Sequence, residues 1–247
     1  MTPHQALEST RPKTAIARVV GVFASPRETF ADIGARPSWI VPILLMMIMS
    51  LGSVFLMGQR IGWDRIVRQS LEKSSSAQNM SAEQMQQMVA NGSKFAGGFA
   101  YVGGTAGPPV VCAIIAGVLM LTMGLFGGKF SFKQAFAIVA HASLVGIIGG
   151  LIMITVMMAK PPEDFDIQHP TVFNAGAFLN PETTGKALMS IASSIDLFTI
   201  WTMVLLAIGF SAAASKRTFT TGKAFTAVVL PFVLWVCIKA GWAAMFG

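Results

Sequence analysis

Two apolar segments in the last third of the chain restrict what it can fold into. Ser193–Ala214 (SSIDLFTIWTMVLLAIGFSAAA) holds a single acid, Asp196, and Lys223–Gly247 (KAFTAVVLPFVLWVCIKAGWAAMFG) a single internal base, Lys239. At about 1.5 Å of rise per helical residue, each is long enough to cross a hydrocarbon core of about 30 Å. A charge inside such a segment costs about 2.5–3.5 kcal/mol on insertion scales, so it turns toward protein and a partner. The short basic turn Ser215–Gly222 folds one segment back on the other, and Asp196 and Lys239 lie at nearly equal separations from Thr218. On antiparallel helices they share one depth, and the sequence predicts a buried Asp196–Lys239 ion pair.

The same length criterion finds three earlier runs, giving five spans at about 38–58, 98–127, 134–159, 190–214 and 223–246. Only 12% of the residues are charged, against about 25% in soluble domains. The charges come in blocks between long uncharged runs. The expected fold class is therefore all-α: a polytopic bundle of five transmembrane helices with amphipathic helices in the N-terminal segment and loops. Residues 1–37 form a cytoplasmic N-terminal segment and 38–247 the membrane domain. A net charge of +7 would suggest nucleic acid in a soluble domain. Here the bases sit at the ends of apolar segments, as topology signals and contacts for membrane lipids, and no nucleic-acid partner is expected. The N-terminal segment with the turns at 129–134 and 215–223 carries ten Lys or Arg against three acids, whereas 59–94 with 160–194 carries seven against seven. The positive-inside rule places the N-terminus in the cytoplasm and the C-terminus outside.

Before the first span, Thr14–Ala24 suits a short helix at the membrane surface. Arg18 interrupts its apolar run and no clean small-residue cleavage site follows, so a secretory signal is not expected. Ser25, Pro26 and Glu28 form a helix-start signature: N-cap, first-turn proline and a capping-box acid. The helix they open puts Phe30 and Ile33 on one side and leaves Arg27, Asp32 and Arg36 to water, as an interfacial anchor touching lipid headgroups. After the first span the helix is expected to run on through Trp63, Ile66, Val67 and Leu71, with Ser74–Ser76 breaking it. Ser81 and Gln84 supply a second capping box. Pro108 and Pro109 remove two backbone donors and predict a kinked or delayed second span, best defined over Val110–Phe126. Gly103 and Gly107, and in the third span Gly146 and Gly150, are spaced for close helix packing.

Chemistry-bearing patterns are sparse. Cys112 and Cys237 lie in apolar runs as small buried hydrophobes. His141, inside the third span, is the remaining intramembrane polar candidate; a proton relay there would need facing carboxylates, and only Asp196 is available. His169 falls in an acidic loop. The sequence has no HExxH, no Walker A loop, no Gly-x-Ser-x-Gly elbow and no metal-spaced Cys/His cluster. No catalytic residue, cofactor or metal site is expected, and the chain is read as a non-enzyme.

Several stretches resemble bacterial members of the YIP family, the Ypt-interacting-protein-like membrane proteins. SPRETFADIGARPSWIVPIL is similar to their Ser-Pro-x-x-Thr-Phe … Pro-x-Trp entry, and GGKFSFKQAFAIVAHASL to the segment after their second span. SSIDLFTIWTMVLLAIGFSAAA with GKAFTAVVLPFVLWVCIKAG resembles their most recognisable block. Ser25, Pro26, Phe30, Asp196, Trp201, Gly209 and Lys239 fall on pattern positions. The resemblance implies five spans with a cytoplasmic N-terminus in a bacterial inner membrane. Eukaryotic members resemble adaptors that work with Rab-type GTPases, a link a bacterial protein need not share.

Two functions of different class follow. The first is a non-enzymatic membrane scaffold or adaptor that binds a membrane or peripheral protein, or organises lipid; a homo-oligomer is compatible with it. The alternative is a small transporter or channel using the Asp196/Lys239/His141 region, gated by the break at Pro108-Pro109.

Overall fold

The computed structural model describes residues 13–72, 80–165, 173–180, 183–214 and 218–246. Ser74–Ser76, His169 and part of the basic turn at 215–217 lie outside them. Among the described residues the chain forms ten α-helices, two 3-10 turns (Pro162–Asp164 and Ala175–Phe178) and no strand beyond one isolated bridge, Asn174 to Asp196. The protein is an all-α polytopic membrane protein. Four helical stretches are long and apolar enough to cross a bilayer: Ile40–Arg60, Ala82–Leu125, Phe132–Ala159 and Thr221–Met245; Ala15–Ala24 and Leu197–Ala213 are shorter apolar helices.

In chain order, α1 is Ala15–Ala24 and α2 Pro26–Ala35. Thr14 caps α1 by accepting from the Ala17 amide at 3.2 Å. Pro26 occupies the first turn of α2, but Ser25 makes no side-chain cap bond. Its hydroxyl instead accepts from Lys13 Nζ at 3.4 Å, and Glu28 lies 3.9 Å from the same ammonium. Lys13 takes both members of the expected capping box.

Helix α3 is Ile40–Arg60 and α4 Trp63–Glu72. The expected continuous helix stops between them because Gly62 adopts φ +86°, a left-handed conformation open to glycine, and its amide bonds back to the Met57 carbonyl. Helix α5, Ala82–Leu125, runs 44 residues through Pro108 and Pro109 without a break, in place of the delayed span expected from sequence. The prolines withhold donors from two carbonyls. In a medium without water, an unwound segment would strand more groups than that, so the helix continues. Its rise of about 66 Å exceeds a hydrocarbon core about twofold, and the polar start that the Ser81/Gln84 capping box opens (2.9 and 3.2 Å) extends past it.

The third run divides into α6, Phe132–Ala142, and α7, Val145–Ala159. A reciprocal capping box at Ser131 and Gln134 starts α6. The fourth also divides, into α8, Lys186–Ser194, and α9, Leu197–Ala213. The sequence also reads Lys186–Ser194 as a helix leading into the fourth span, and α8 has those bounds. The span expected over 190–214 starts only at Leu197, because Ile195 is extended and Asp196 caps a new helix. Helix α10 is Thr221–Phe246, continuous through Pro231.

Two compact units arise from these elements. The first comprises residues up to Ile43, Cys112–Leu144 and Trp201–Phe232. Its core holds Val22, Phe30, Ile33, Met123, Ile138, Val139 and Phe210, all fully buried. Phe130 contacts both Phe210 and Phe219 edge-on, with centroids 5.0 and 5.8 Å apart. The second comprises Leu44–Val111, Val145–Ile200 and Val233–Gly247. Ile61, Met157 and Phe165 form a buried cluster with Leu56, Met57 and Ile66 against it, and Arg60 ties down the carbonyls of Met158 and Lys160, each at 3.2 Å. The close helix approach is at Gly104, where an added Cβ would sit 3.2 Å from Ser50 Oγ and 3.5 Å from Leu51 and Val54; Gly103 and Gly107 face nothing within 4 Å. Gly150 meets Met49, whereas Gly146 is open.

Candidate functional site

In the second unit, the sequence-predicted charges share one neighbourhood. Asp196 Oδ1 accepts from the amides of Phe198 and Thr199 at 2.9 and 3.0 Å, and Oδ2 accepts from the Thr199 hydroxyl. These are the bonds of an N-cap, satisfying donors that the first turn of α9 would leave orphaned. The bridge to Asn174 holds the loop beside it: Ala175 N donates to Ile195 O at 3.0 Å and Leu197 N to Phe173 O at 3.2 Å. Lys239 Nζ on α10 donates to Ser194 Oγ at 3.0 Å, and that hydroxyl donates on to Ser190 O at 2.7 Å. The acid and base are brought within two residues of one another along α8–α9. They are not among the ion pairs of the described residues, because the carboxylate is occupied by amides and the ammonium by a hydroxyl.

This geometry sets a prediction. Asp196→Ala should cost about 0.5–2 kcal/mol, the usual loss for a removed N-cap, and Asp196→Asn, which keeps an acceptor, less. Lys239→Met keeps the apolar stem and should cost under about 1 kcal/mol. In detergent thermal melts the Asp196→Ala/Lys239→Met double variant should equal the sum of the singles. A double variant much more stable than that sum would restore the direct ion pair.

His141 and the remaining family-pattern positions belong to the first unit. His141 is buried, and its Nδ1 donates to the Ala137 carbonyl at 2.8 Å, one helical turn back. Trp201 packs edge-on against Phe23 of α1 at 5.7 Å. Phe30 and Gly209 meet directly: a Cβ on Gly209 would stand 3.0 Å from the Phe30 ring and 2.8 Å from Ile138 Cγ2.

One feature of this unit escapes the sequence reading. Arg18, 5% exposed, is buried in α1 and reaches Asp32 of α2 at 2.8 Å; its Nη1 also donates to Arg36 O at 3.0 Å and Ser38 Oγ at 2.6 Å. Asp32 is thus not left to water. The guanidinium fork joins α1, α2 and the entry to α3. Beside it, buried Thr29 accepts from Lys13 Nζ at 2.9 Å, and Gly21 leaves room for its hydroxyl. Gln134 Nε2 donates to Gly34 O at 3.0 Å, fixing the end of α2 to the capping box of α6. The signal was present in the sequence: one base in an otherwise apolar helix, with an acid one short helix later.

Three comparisons with known proteins bear on this arrangement. A family model described as Yip1 domain matches residues 20–242. A curated protein named Membrane protein YknW, from Bacillus subtilis (strain 168), is 31% identical over 191 residues, covering 76% of this chain and 75% of its own. No solved structure matches the chain. The matched region takes in the second half of α1, all of α2 with Asp32, and the Asp196–Lys239 neighbourhood, beginning two residues after Arg18, and this chain belongs to the Yip1 family of membrane proteins.

Proposed function

We propose that this protein is a non-enzymatic scaffold or adaptor of the bacterial cytoplasmic membrane, with its N-terminus in the cytoplasm and its C-terminus outside. The observation that carries this reading is that, among the described residues, the charged and titratable groups expected within the spans, Asp196, Lys239 and His141, are engaged by the chain itself, while the Ser190 hydroxyl is buried without a partner. Asp196 caps α9, Lys239 holds Ser194, His141 binds a carbonyl of its own helix, and Thr122 donates to Leu119 O. Groups committed in this way fix helix ends and crossings. A translocation path needs polar groups that can exchange partners with a substrate. The partner-facing elements are then the amphipathic α4 and the polar start of α5, on which Arg68 and Gln87 are exposed, together with lipid contacts at the N-terminal helices.

The test is site-specific photocrosslinking in living cells. A photoreactive residue is placed at Arg68 or Gln87, and at exposed apolar Leu121 as the lipid-side control. The scaffold reading expects one protein adduct in near-stoichiometric yield from the first two positions and none from the third. Absence of such an adduct, with a solute flux in proteoliposomes that Asp196→Asn or Lys239→Met abolishes, would establish transport in its place.

A further inference from the structure

Helix α1 is inverted relative to a surface helix of a soluble protein. Arg18 is its only charged residue, and no other side chain in Ala15–Ala24 is polar. Arg18 turns inward with Gly21 and Val22. The opposite face presents Ile16, 77% exposed, and Val20, 59% exposed, with Phe23 at its rim, one side of the ring against Trp201, at i, i+4 and i+7, flanked by exposed Ala15, Ala17 and Ala24. A helix facing water shows its polar side outward; this one has no polar side to show, because its single charge is neutralised within the fold by Asp32.

Charge identifies what covers this face. The described residues of the first unit carry seven Lys or Arg against two acids. Both acids already have basic neighbours: Arg18 holds Asp32, and Lys13 lies beside Glu28. Arg27, Arg36, Lys129, Lys133 and Lys223 are exposed. An apolar helical face on a body with several unpaired bases matches an anionic bilayer surface, whose acyl boundary takes the apolar side chains while its phosphates meet the cations.

We propose that α1 is a lipid-inserted anchor: its Ile16–Val20–Phe23 face lies in the acyl boundary of an anionic leaflet, held there by the exposed bases of the same unit. The inference rests on the lipid contact proposed above for the N-terminal helices and is independent of any protein partner at α4 and α5. It is tested on the full-length protein with Cys112→Ala and Cys237→Ala, carrying Ile16→Cys, Val20→Cys or, as the water-side control, Glu28→Cys. Each is labelled with a nitrobenzoxadiazole fluorophore in vesicles of phosphatidylcholine and phosphatidylglycerol. Brominated lipid should quench positions 16 and 20 and spare 28, with blue-shifted emission at the first two. Removing phosphatidylglycerol, or adding Arg27→Gln with Arg36→Gln, should lower that quenching. Three results overturn the proposal. Aqueous iodide could reach 16 and 20 as readily as 28, quenching could be equal in neutral and anionic vesicles, or both sites could be shielded from iodide and bromolipid alike in native membranes, which would mean a protein cover.

Discussion

Arg18→Ala is expected to destabilise the purified protein by about 3–5 kcal/mol, the usual cost of removing one partner from a buried ion pair. The guanidinium is 5% exposed and makes three bonds, to Asp32, Arg36 O and Ser38 Oγ, so its loss leaves a largely buried carboxylate and two oxygens unmatched. Asp32→Ala should cost less, because Arg18 retains the Arg36 carbonyl and the Ser38 hydroxyl. Arg18→Ala/Asp32→Ala should then cost clearly less than the sum, with a coupling of about 0.5–3 kcal/mol. Arg18→Lys should recover only part of the loss, since an ammonium cannot span the three acceptors that the planar fork reaches. Thermal unfolding of all four variants in one mild detergent measures the cycle. Additive singles would mean that Arg18 and Asp32 do not act as a pair in holding α1 to α2.

The all-α membrane class and four long apolar stretches were legible in the sequence because crossing a bilayer imposes a length and an absence of charge that any window of residues reveals. The fifth expected span, 190–214, holds only the shorter apolar helix α9. The breaks were not legible, for reasons that differ from one to the next. Gly62 ends α3 through a left-handed φ, and nothing in its neighbours distinguishes it from the open glycines of α5. Asp196 was read correctly as a charge that needs partners, but the nearest ones are amides two and three residues ahead, and local bonds form without closing any loop. The depth argument puts Lys239 beside Asp196 as a buried pair, whereas Lys239 is exposed and donates to the Ser194 hydroxyl. Pro108 and Pro109 remove two donors and disfavour helix before them, but within an apolar medium unwinding strands still more groups, and the helix is the cheaper state. Arg18 interrupts a hydrophobic run in the sequence, whereas its burial with Asp32 is what lets the run stay apolar outside.

The small-residue contacts show the same limit and lead to the second large effect. Sequence spacing pointed to Gly103 and Gly107, yet in the first unit the close approach lies between α2 and α9. There Phe30 sits over Gly209, and Gly34 sits against Ala213. The pairs are four residues apart on each helix and in the same order, so the two helices run parallel through this contact, in register by one turn. A Cβ on Gly34 would meet Ala213 Cβ and come within 2.9 Å of its Cα. Backbone cannot rotate away as a side chain does, so the helices must separate. Gly34→Ala, despite a gain of about 1 kcal/mol in helix propensity, should therefore lose about 1–3 kcal/mol net through overpacking. Gly209→Ala meets Ile138 Cγ2 and the Phe30 ring, both fully buried, and should be destabilising by a smaller margin because side chains, unlike the Ala213 backbone, can shift by a few tenths of an ångström. Ile138→Ala frees the volume that the new methyl needs. Gly209→Ala should thus cost less in an Ile138→Ala background than alone, whereas Gly34→Ala should cost the same in both. Detergent melting curves of these variants separate the two cases. If Gly34→Ala is neutral or stabilising, α2 does not pack on α9 through its backbone at Ala213.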